Sequence, residues 1–461
     1  MRRSVLIPLA LAITLASCAT KKPVAPAGQA LASPKTTTAV LAITPDIPIA
    51  TKVATPPGFV PLPGRAPLWL MNNKVLALVG RVGARAMVLG FNQKDYQHPQ
   101  VIAADNGKGA PDGSIVDIAA SPNGMTIATA ELEPGRIEVV VRDLISAGKG
   151  HPVAAFDGDF RSASVAWLDS GTVALALGTN DSPAPEASGG DHPRNGSATS
   201  DSDDTGISVP AGGGLYLIGV YGAVTVRPVA IKCPLSPMRF SPGGLYAITE
   251  GDQDAPPIVY NRVAGRCRRL GIPGPIRLLG WAPGDQGFLY AAPGTNDRGP
   301  GVFRYDFGKQ TSDIVAIASA GAVYLADGSI LALGNRALSW RSVAANPTAP
   351  VTAQLALFSP RLDKTQVKSL ARPTSPVMLS QSSMVYSQAL DEAAIQLFTN
   401  EPNGPAREII AFSRPDQKAF LIAHGPIRGV VTLAWMPITN RLLIFDGDGA
   451  SGSLTILTPP R

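Results

Sequence analysis

The phrases SPNGMTIATA (121–130), SPGGLYAITE (241–250), APGDQGFLYAA (282–292) and ADGSILALG (326–334) are versions of one pattern. An apolar run leads into a tight turn carrying Gly or Asp, and a second apolar run leads out. Gly, Asn and Asp suit such turns because they tolerate positive φ. The stretches IEVVVRDLISAGK, PIVYNRVAGRCRRL, VFRYDFGKQTSDIVAI and LALFSPRLDKTQVKSL are again strand, polar turn and strand. β-Branched and aromatic residues fill the apolar runs, as strands prefer. One phrase of each kind makes a unit of four short strands. Trp167, Phe240, Trp281, Tyr324 and Trp435 close the first strand of five units, and Trp69, Ala120 and Leu379 take that place in the other three. This predicts eight units, beginning near residues 66, 115, 163, 236, 276, 321, 376 and 430. Seven is the alternative, because the units near 115 and 376 are the least regular.

A four-stranded sheet that is apolar on both faces cannot stand alone. Spacings of about 40 to 55 residues, with one longer gap, match propeller blades, which bury both faces by packing in a ring. The expected fold is therefore all-β: a single β-propeller of four-stranded blades over residues 63–461. The phrases MRFSPGG, LGWAPGD and IAASPNG are similar to the W-S-P-D-G motif of TolB-like, WD40-like β-propeller repeats, and the likeness covers about residues 66 to 459. SPNG and SPGG lack the Asp of that motif. The last unit shows only three strands, VVTLAWM, RLLIFDG and SLTILTP. A ring left open there would expose an edge. An N-terminal segment is expected to complete it, with VLAIT (40–44) or the residues near Phe59 as candidates.

Composition agrees with many turns and few charged helix faces: 47 Gly, 43 Pro and only 16% charged residues. The net charge of +6 is mild for 461 residues. A nucleic-acid binder would concentrate basic residues in a patch. The densest cluster, Arg262, Arg266, Arg268 and Arg269 in NRVAGRCRR, reads as a solvated hairpin turn. Contact with anionic headgroups or acidic glycans is its functional alternative.

The chain opens MRRSVLIPLALAITLASC. A basic start, a short apolar run and small residues describe a secretory signal, too short to span a bilayer. Leu15-Ala16-Ser17-Cys18 resembles the bacterial lipobox, which implies a signal peptide over 1–17 and lipid attachment at Cys18. Ala19, rather than Asp, after the cysteine resembles outer-membrane sorting if the source is Gram-negative. Otherwise the outer face of the plasma membrane is implied. Residues 18–62 follow as a Pro-, Ala- and Thr-rich tether expected to be disordered, with VLAIT as the exception.

Residues 180–213 interrupt the third unit with a Ser-, Gly- and Asp-rich insertion, also expected to be disordered. Asp201, Asp203 and Asp204 there do not have EF-hand spacing. DGDGASG (446–452) reads as a hairpin turn rather than a metal loop. With Cys18 lipidated, Cys233 and Cys267 remain. An exported chain with an even remainder suggests one disulfide between them, with two separate buried thiols as the alternative.

No catalytic or metal motif stands out, and no cofactor is implied. The four histidines, His98, His151, His192 and His424, form no metal-binding pattern, and three of them are followed by proline, as turn residues often are. Asp117, Asp157, Asp159, Asp169 and Asp327 are conceivable carboxylates at a channel mouth, and turn roles explain each of them too. The expected function is a membrane-anchored cell-envelope lipoprotein whose propeller is a non-catalytic platform for a protein or glycan, with no nucleic-acid partner. A propeller hydrolase or lyase acting on an envelope glycan or lactone is the alternative.

Overall fold

The computed structural model describes most of residues 39–458. Segments 1–38, 105–114, 180–206, 230–236, 335–352, 371–381 apart from Val377, several short turns and 459–461 lie outside the described residues. Among the described residues the chain is all strand apart from one 3-10 turn, Pro283–Asp285.

Four short strands come first: β1 (Ala39–Leu41), β2 (Ile43–Pro45), β3 (Ile49–Val53) and β4 (Phe59–Pro61). Blade 1 follows with β5 (Leu68–Leu70), β6 (Val75–Val82), β7 (Arg85–Asn92) and β8 (Asp95–Ala104). Blade 2 holds β9 (Ile115–Ala120), β10 (Thr126–Glu133), β11 (Arg136–Asp143) and β12 (Gly150–Asp157). Blade 3 holds β13 (Phe160–Trp167), β14 (Thr172–Thr179), β16 (Gly214–Gly219) and β17 (Thr225–Val229), with β15 (Ile207–Pro210) inserted between its second and third strands. Blade 4 is β18 (Met238–Phe240), β19 (Tyr246–Thr249), β20 (Ile258–Asn261) and β21 (Arg266–Arg269). Blade 5 is β22 (Arg277–Trp281), β23 (Gly287–Ala292), β24 (Gly301–Asp306) and β25 (Thr311–Ile317). Blade 6 is β26 (Ala322–Tyr324), β27 (Ile330–Gly334), β28 (Gln354–Phe358) and β29 (Lys364–Leu370). Blade 7 is β30 (Ser383–Ser387), β31 (Glu392–Glu401), β32 (Gly404–Ser413) and β33 (Lys418–Pro426). Blade 8 has three strands of its own, β34 (Val430–Trp435), β35 (Leu442–Gly447) and β36 (Gly452–Thr458). The chain is thus an eight-bladed propeller of eight separate sheets.

Each gap between neighbouring sheets holds its own apolar core. Leu70, Val79 and Val88 of blade 1 meet Ile115 and Ile127 of blade 2. Phe156 and Ile137 of blade 2 meet Trp167 and Leu175 of blade 3. Equivalent clusters fill the remaining gaps, and the eighth joins Leu443, Phe445 and Ile456 of blade 8 to Leu76, Leu89 and Phe91 of blade 1. Successive side chains of a strand point to opposite faces. Ile127 therefore faces blade 1 while Ala128 faces blade 3, and both are fully buried. This double burial is why TIATA reads as a continuous apolar run.

The repeated turn has a repeated hydrogen bond. The residue after each inner strand donates its N–H back across the turn: Ser121 to Thr126, Leu168 to Thr172, Ser241 to Tyr246, Ala282 to Gly287, Leu325 to Ser329 and Met436 to Arg441. Ala120, Trp167, Phe240, Trp281, Tyr324 and Trp435 are therefore equivalent positions. In blade 7 that position belongs to Tyr386, which pairs with Ala393 as Trp435 pairs with Leu442. Leu379, expected there, lies outside the described residues. Two of the indoles tie blades together. Trp167 Nε1 donates to the Ala119 carbonyl of blade 2 at 3.1 Å, and Trp435 Nε1 to the Val385 carbonyl of blade 7 at 3.3 Å. In the S-P-x-G turns, Gly124 and Gly244 take φ of +65° and +62°. A Cβ at Gly124 would also press on the Met71 backbone N at 3.2 Å, where Met71 N–H donates to the Gly124 carbonyl and links blades 1 and 2.

An N-terminal segment does complete blade 8, but neither expected candidate does so. β3 pairs antiparallel with β36, from Ile49 opposite Thr458 to Val53 opposite Leu454, and is its fourth strand. VLAIT is divided at Ala42. β1 adds parallel to β29 of blade 6, and β2 adds parallel to β33 of blade 7. β4 pairs with β6 of blade 1, and the Phe59 ring fills the blade 8–blade 1 core. Phe59 fits because Gly80 lacks a side chain: a Cβ there would lie 2.3 Å from the ring. The stretch read as a tether thus contributes four strands, drawn in by apolar residues with buried places to occupy. The insertion of blade 3 is likewise not unstructured throughout: β15 adds parallel to β12 of blade 2. DGDGASG joins β35 to β36, with Gly447 paired to Gly452.

Two substitutions check this account. Leu41→Ala, at a side chain 5% exposed in the blade 6–blade 7 core, is expected to cost about 2 kcal/mol or more although it lies outside the repeats. Trp167→Phe, which removes one inter-blade hydrogen bond, is expected to cost about 0.5–1.5 kcal/mol. Both are read as shifts of the urea midpoint at constant slope.

Candidate functional site

The inner strands line the axis of the ring, and several of their polar groups act as locks between blades. Asp117, 8% exposed on β9, accepts the N–H of Ile118 at 2.9 Å and that of Val165 in blade 3 at 2.8 Å. Ser164 Oγ of blade 3 accepts the N–H of Met238 in blade 4. Glu250 Oε1 of blade 4 accepts the N–H of Leu278 in blade 5 and pairs with Arg239 at 3.3 Å. Arg277 of blade 5 donates to the Ala320 carbonyl beside blade 6.

The five sequence-read carboxylates do not converge. Asp117 is spent on the blade 2–blade 3 lock, and Asp157 and Asp159 sit at the far end of blade 2, where the chain leaves for blade 3. Asp169 and Asp327 lie in the first turns of blades 3 and 6, accepting the N–H of Gly171 and Ser329. These first turns are on the opposite face of the ring.

That turn face carries a recess of roughly 410 Å³ between blades 4 and 5. Blade 4 lines it with Leu245 and Tyr246, and blade 5 with Gly284, Asp285, Gln286, Asp306, Phe307 and Gly308. Tyr246 and Phe307 stack with centroids 4.1 Å apart and planes at 19°. Trp281, the inner-strand aromatic of blade 5, packs behind Phe307. Asp285 is the motif Asp that APGD retains. It is 6% exposed, and its Oδ2 accepts the Ser241 hydroxyl of blade 4 at 2.8 Å. Gly243 admits that approach, since a Cβ there would lie 2.6 Å from Asp285 Oδ2. The recess thus offers an aromatic stack, an exposed Leu245 and two carboxylates. Among the described residues no histidine, cysteine or lysine lines it. Such a set suits binding an apolar or sugar face with hydrogen-bond donors at its edge. Sequence reading missed it because its lining comes from two units: every lining residue lies in a repeat phrase, but nothing local brings Tyr246 against Phe307.

A second polar group on this face joins blades 6 and 7. Arg414 Nε donates to Asp391 at 2.7 Å, its Nη1 lies 3.6 Å from Asp327, and Tyr386 donates to Asp391 at 2.6 Å. Burial and the Asp391 hydrogen bond push the Tyr386 phenol up. Burial acts to raise the Asp327 carboxyl, but hydrogen bonds from Ser329 and the Arg414 charge outweigh it and hold the group below its ordinary range.

Among the described residues one group of side chains could hold a metal ion: Glu401, Glu408 and His424 on neighbouring strands of blade 7. Glu408 is 3% exposed, and His424 Nε2 lies 2.8 Å from Glu401 Oε1. Two carboxylates and an imidazole form a set that divalent transition metals accept. His424 is thus a strand residue, not a turn residue. His98 is an exposed strand residue of β8, 2.8 Å from Asp95, and it draws the Asp95 carboxyl down. His151 is exposed on β12, and His192 lies outside the described residues. Arg262, Arg266, Arg268 and Arg269 belong to the β20–β21 hairpin and its outer strand. Cys267 is disulfide-bonded, while Cys233 and Cys18 lie outside the described residues. Asp201, Asp203 and Asp204 lie outside them too.

The closed ring of eight four-stranded sheets defines the chain as a β-propeller. No protein-family model and no curated protein matches it. Solved structures do. The β-propeller domain of Cps50 (Swd1) from Myceliophteria thermophila is 12% identical with a TM-score of 0.43, covering 89% of this chain and all of that one. Sqt1 from Chaetomium thermophilum is 12% identical with a TM-score of 0.47, covering 84% and 93%. Prolyl oligopeptidase B from Galerina marginata is 13% identical with a TM-score of 0.45, covering 83% of this chain and 54% of that one.

Asp285→Ala removes a charge-assisted hydrogen bond between blades 4 and 5 and is expected to cost about 1.5–3 kcal/mol in urea unfolding. Asp327 contributes stability that is present above its ordinary pKa of 3.8 and is lost as pH falls through the lower folded value. Asp327→Asn is therefore expected to flatten the loss of stability below about pH 4, slightly because the group is largely solvated. Urea midpoints at pH 7 and pH 3 measure it.

Proposed function

We propose that this chain is a membrane-anchored cell-envelope lipoprotein whose propeller is a non-catalytic binding platform for a protein or glycan. One observation carries the platform reading. The roughly 410 Å³ recess between blades 4 and 5 presents a stacked Tyr246–Phe307 pair beside Asp285 and Asp306, a surface suited to an apolar or sugar face. Stiff blades on either side hold the two walls at fixed separation, so a partner meets a preformed surface and orders little on binding. The anchor rests on the lipobox-like Leu15–Cys18 alone. It places the chain at the outer membrane facing the periplasm in a Gram-negative cell, and otherwise on the outer face of the plasma membrane. Multiple acylation of Cys18 would hold it there, because one acyl chain alone binds marginally.

The enzyme alternative has one observation in its favour, the Glu401–Glu408–His424 group, whose metal would activate water.

The test is a crosslinked pull-down from intact cells with wild type, Cys18→Ala and a Tyr246→Ala/Phe307→Ala double variant. Capture of an envelope partner by wild type, lost on either change, is the expected result. An abundant, folded protein that captures nothing yet turns over a glycan or lactone in the presence of Zn²⁺ or Mn²⁺ would overturn the platform in favour of the enzyme.

A further inference from the structure

Strand direction alternates within a blade, so the turn after its first strand and the turn after its third lie on the same face of the ring. That is the turn face of the recess. Among the described residues five large apolar side chains are exposed. Val101 and Ile314 lie on the outer strands β8 and β25. The other three sit on turn-face hairpins of two neighbouring blades: Tyr221 of blade 3, 60% exposed, and Leu245 and Val263 of blade 4, 38% and 80% exposed. Elsewhere on this face the exposed hairpin tips carry polar side chains such as Lys94, Asn123, Asp327, Arg361 and Asp416.

The three apolar tips run into the recess. Arg262 N–H donates to the Leu245 carbonyl, which sets the Val263 hairpin beside Leu245. Leu245 in turn lines the recess next to Tyr246. On the other side Gly244 abuts blade 3, where a Cβ on it would lie 3.1 Å from the Leu168 side chain. Val220 N–H donates to the Gly171 carbonyl, and the Tyr221 ring lies against Gly171. An apolar arc therefore extends from Tyr221 to the Tyr246–Phe307 pair. Exposed apolar side chains scattered singly need no explanation, whereas a run of them marks a surface that meets another molecule. The blade 3 insertion leaves from the opposite face, after β14.

The charge of the recess selects the occupant. Asp285 is fixed through Oδ2 by the Ser241 hydroxyl, which leaves Oδ1 to a ligand. Asp306 Oδ1 accepts the Lys309 N–H within its own turn, which leaves Oδ2. Neither carboxylate is in an ion pair with a described residue. No cation among the described residues lines the recess. Arg262 acts instead on Tyr260, which faces blade 3, and Lys309 is exposed on the turn beyond Gly308. Carboxylates without a counter-ion, set beside aromatic rings, match a guanidinium. That group is planar, stacks on a ring face and meets a carboxylate through a fixed fork of donors. A neutral sugar would leave the carboxylate charge unanswered. An anionic lipid surface would be repelled by Asp285, Asp306 and the exposed Asp169 of this face.

We propose that the recess between blades 4 and 5 takes an arginine side chain of a partner protein, and that apolar residues flanking that arginine cover Leu245, Val263 and Tyr221. The arginine supplies specificity, and the apolar arc supplies contact area around it. The inference deepens the platform reading and rests on it.

The test uses the full chain and a fluorescein-labelled peptide, SGLRLGS, followed by anisotropy. The peptide is expected to bind, more weakly as salt rises. A counterpart with citrulline in place of arginine keeps the shape but not the charge, and is expected to bind at least about tenfold more weakly. The Asp285→Asn/Asp306→Asn double variant, whose amide oxygens can still accept from Ser241 and Lys309, should bind the two peptides alike. Val263→Ser changes a side chain with no place in a core and should weaken the arginine peptide by at least about threefold. Equal binding of both peptides to unmodified protein, or of neither, would overturn the arginine site, and this comparison needs no variant to fold. So would binding to phosphatidylglycerol vesicles, abolished by Tyr221→Ser/Val263→Ser, with none to the peptide. An envelope partner captured from cells that is lost with Tyr246→Ala/Phe307→Ala but kept with Asp285→Asn/Asp306→Asn would sink the arginine and leave the platform standing.

Discussion

Every blade of this protein is a sheet with two apolar faces and no layer of its own to cover them. The eight inter-blade cores resolve this, each built from the facing side chains of two sheets. The consequence is mutual dependence. Ile127 and Ala128 are neighbours in sequence but belong to different cores, so losing one blade uncovers a face on each side. Burial of this kind contributes roughly 25 cal/mol per Å² of apolar surface, and it is complete only when the ring closes.

Closure is accordingly the most demanding step, and the chain spends its N-terminal strands on it. β3 supplies the strand that blade 8 lacks, and Phe59 fills the last core. On the way β1 and β2 pair with the outer edges of blades 6 and 7, so one short stretch fastens three consecutive blades. These pairings join residues from about 330 positions apart (Ala39 with Lys368) to about 410 (Ile49 with Thr458). Contacts so distant carry a large loop-closure entropy, which only cooperative packing can offset.

A rigid ring with fastened edges leaves another molecule a recess at the surface between blades to meet, as beside the stacked Tyr246–Phe307 pair. It lies between blades 4 and 5, away from the arc of blades 6, 7 and 8 that the N-terminal strands occupy. Polar groups of blades 2, 3 and 4 serve cohesion instead. Asp117, Ser164 and Glu250 each accept a backbone N–H from the next blade. A carboxylate committed in this way has few lone pairs left for a substrate.

The sequence by itself determined the all-β class and the position of most turns, and it pointed to eight repeats with seven left open. Those depend on local chemistry: strand-forming residues, Gly or Asp where φ turns positive, and an aromatic before the turn. It also identified Asp285 as part of a repeated motif. Only the tertiary structure decided that IATKV, rather than VLAIT, closes the ring, because that choice depends on which exposed edge lies within reach of which short segment. The same holds for Tyr386 in place of Leu379, since pairing partners and not spacing define the equivalent position. Glu401, Glu408 and His424 converge through strand register, and the recess draws its walls from two blades. Local pattern specifies what each unit is. Only packing in the ring decides which units share a surface.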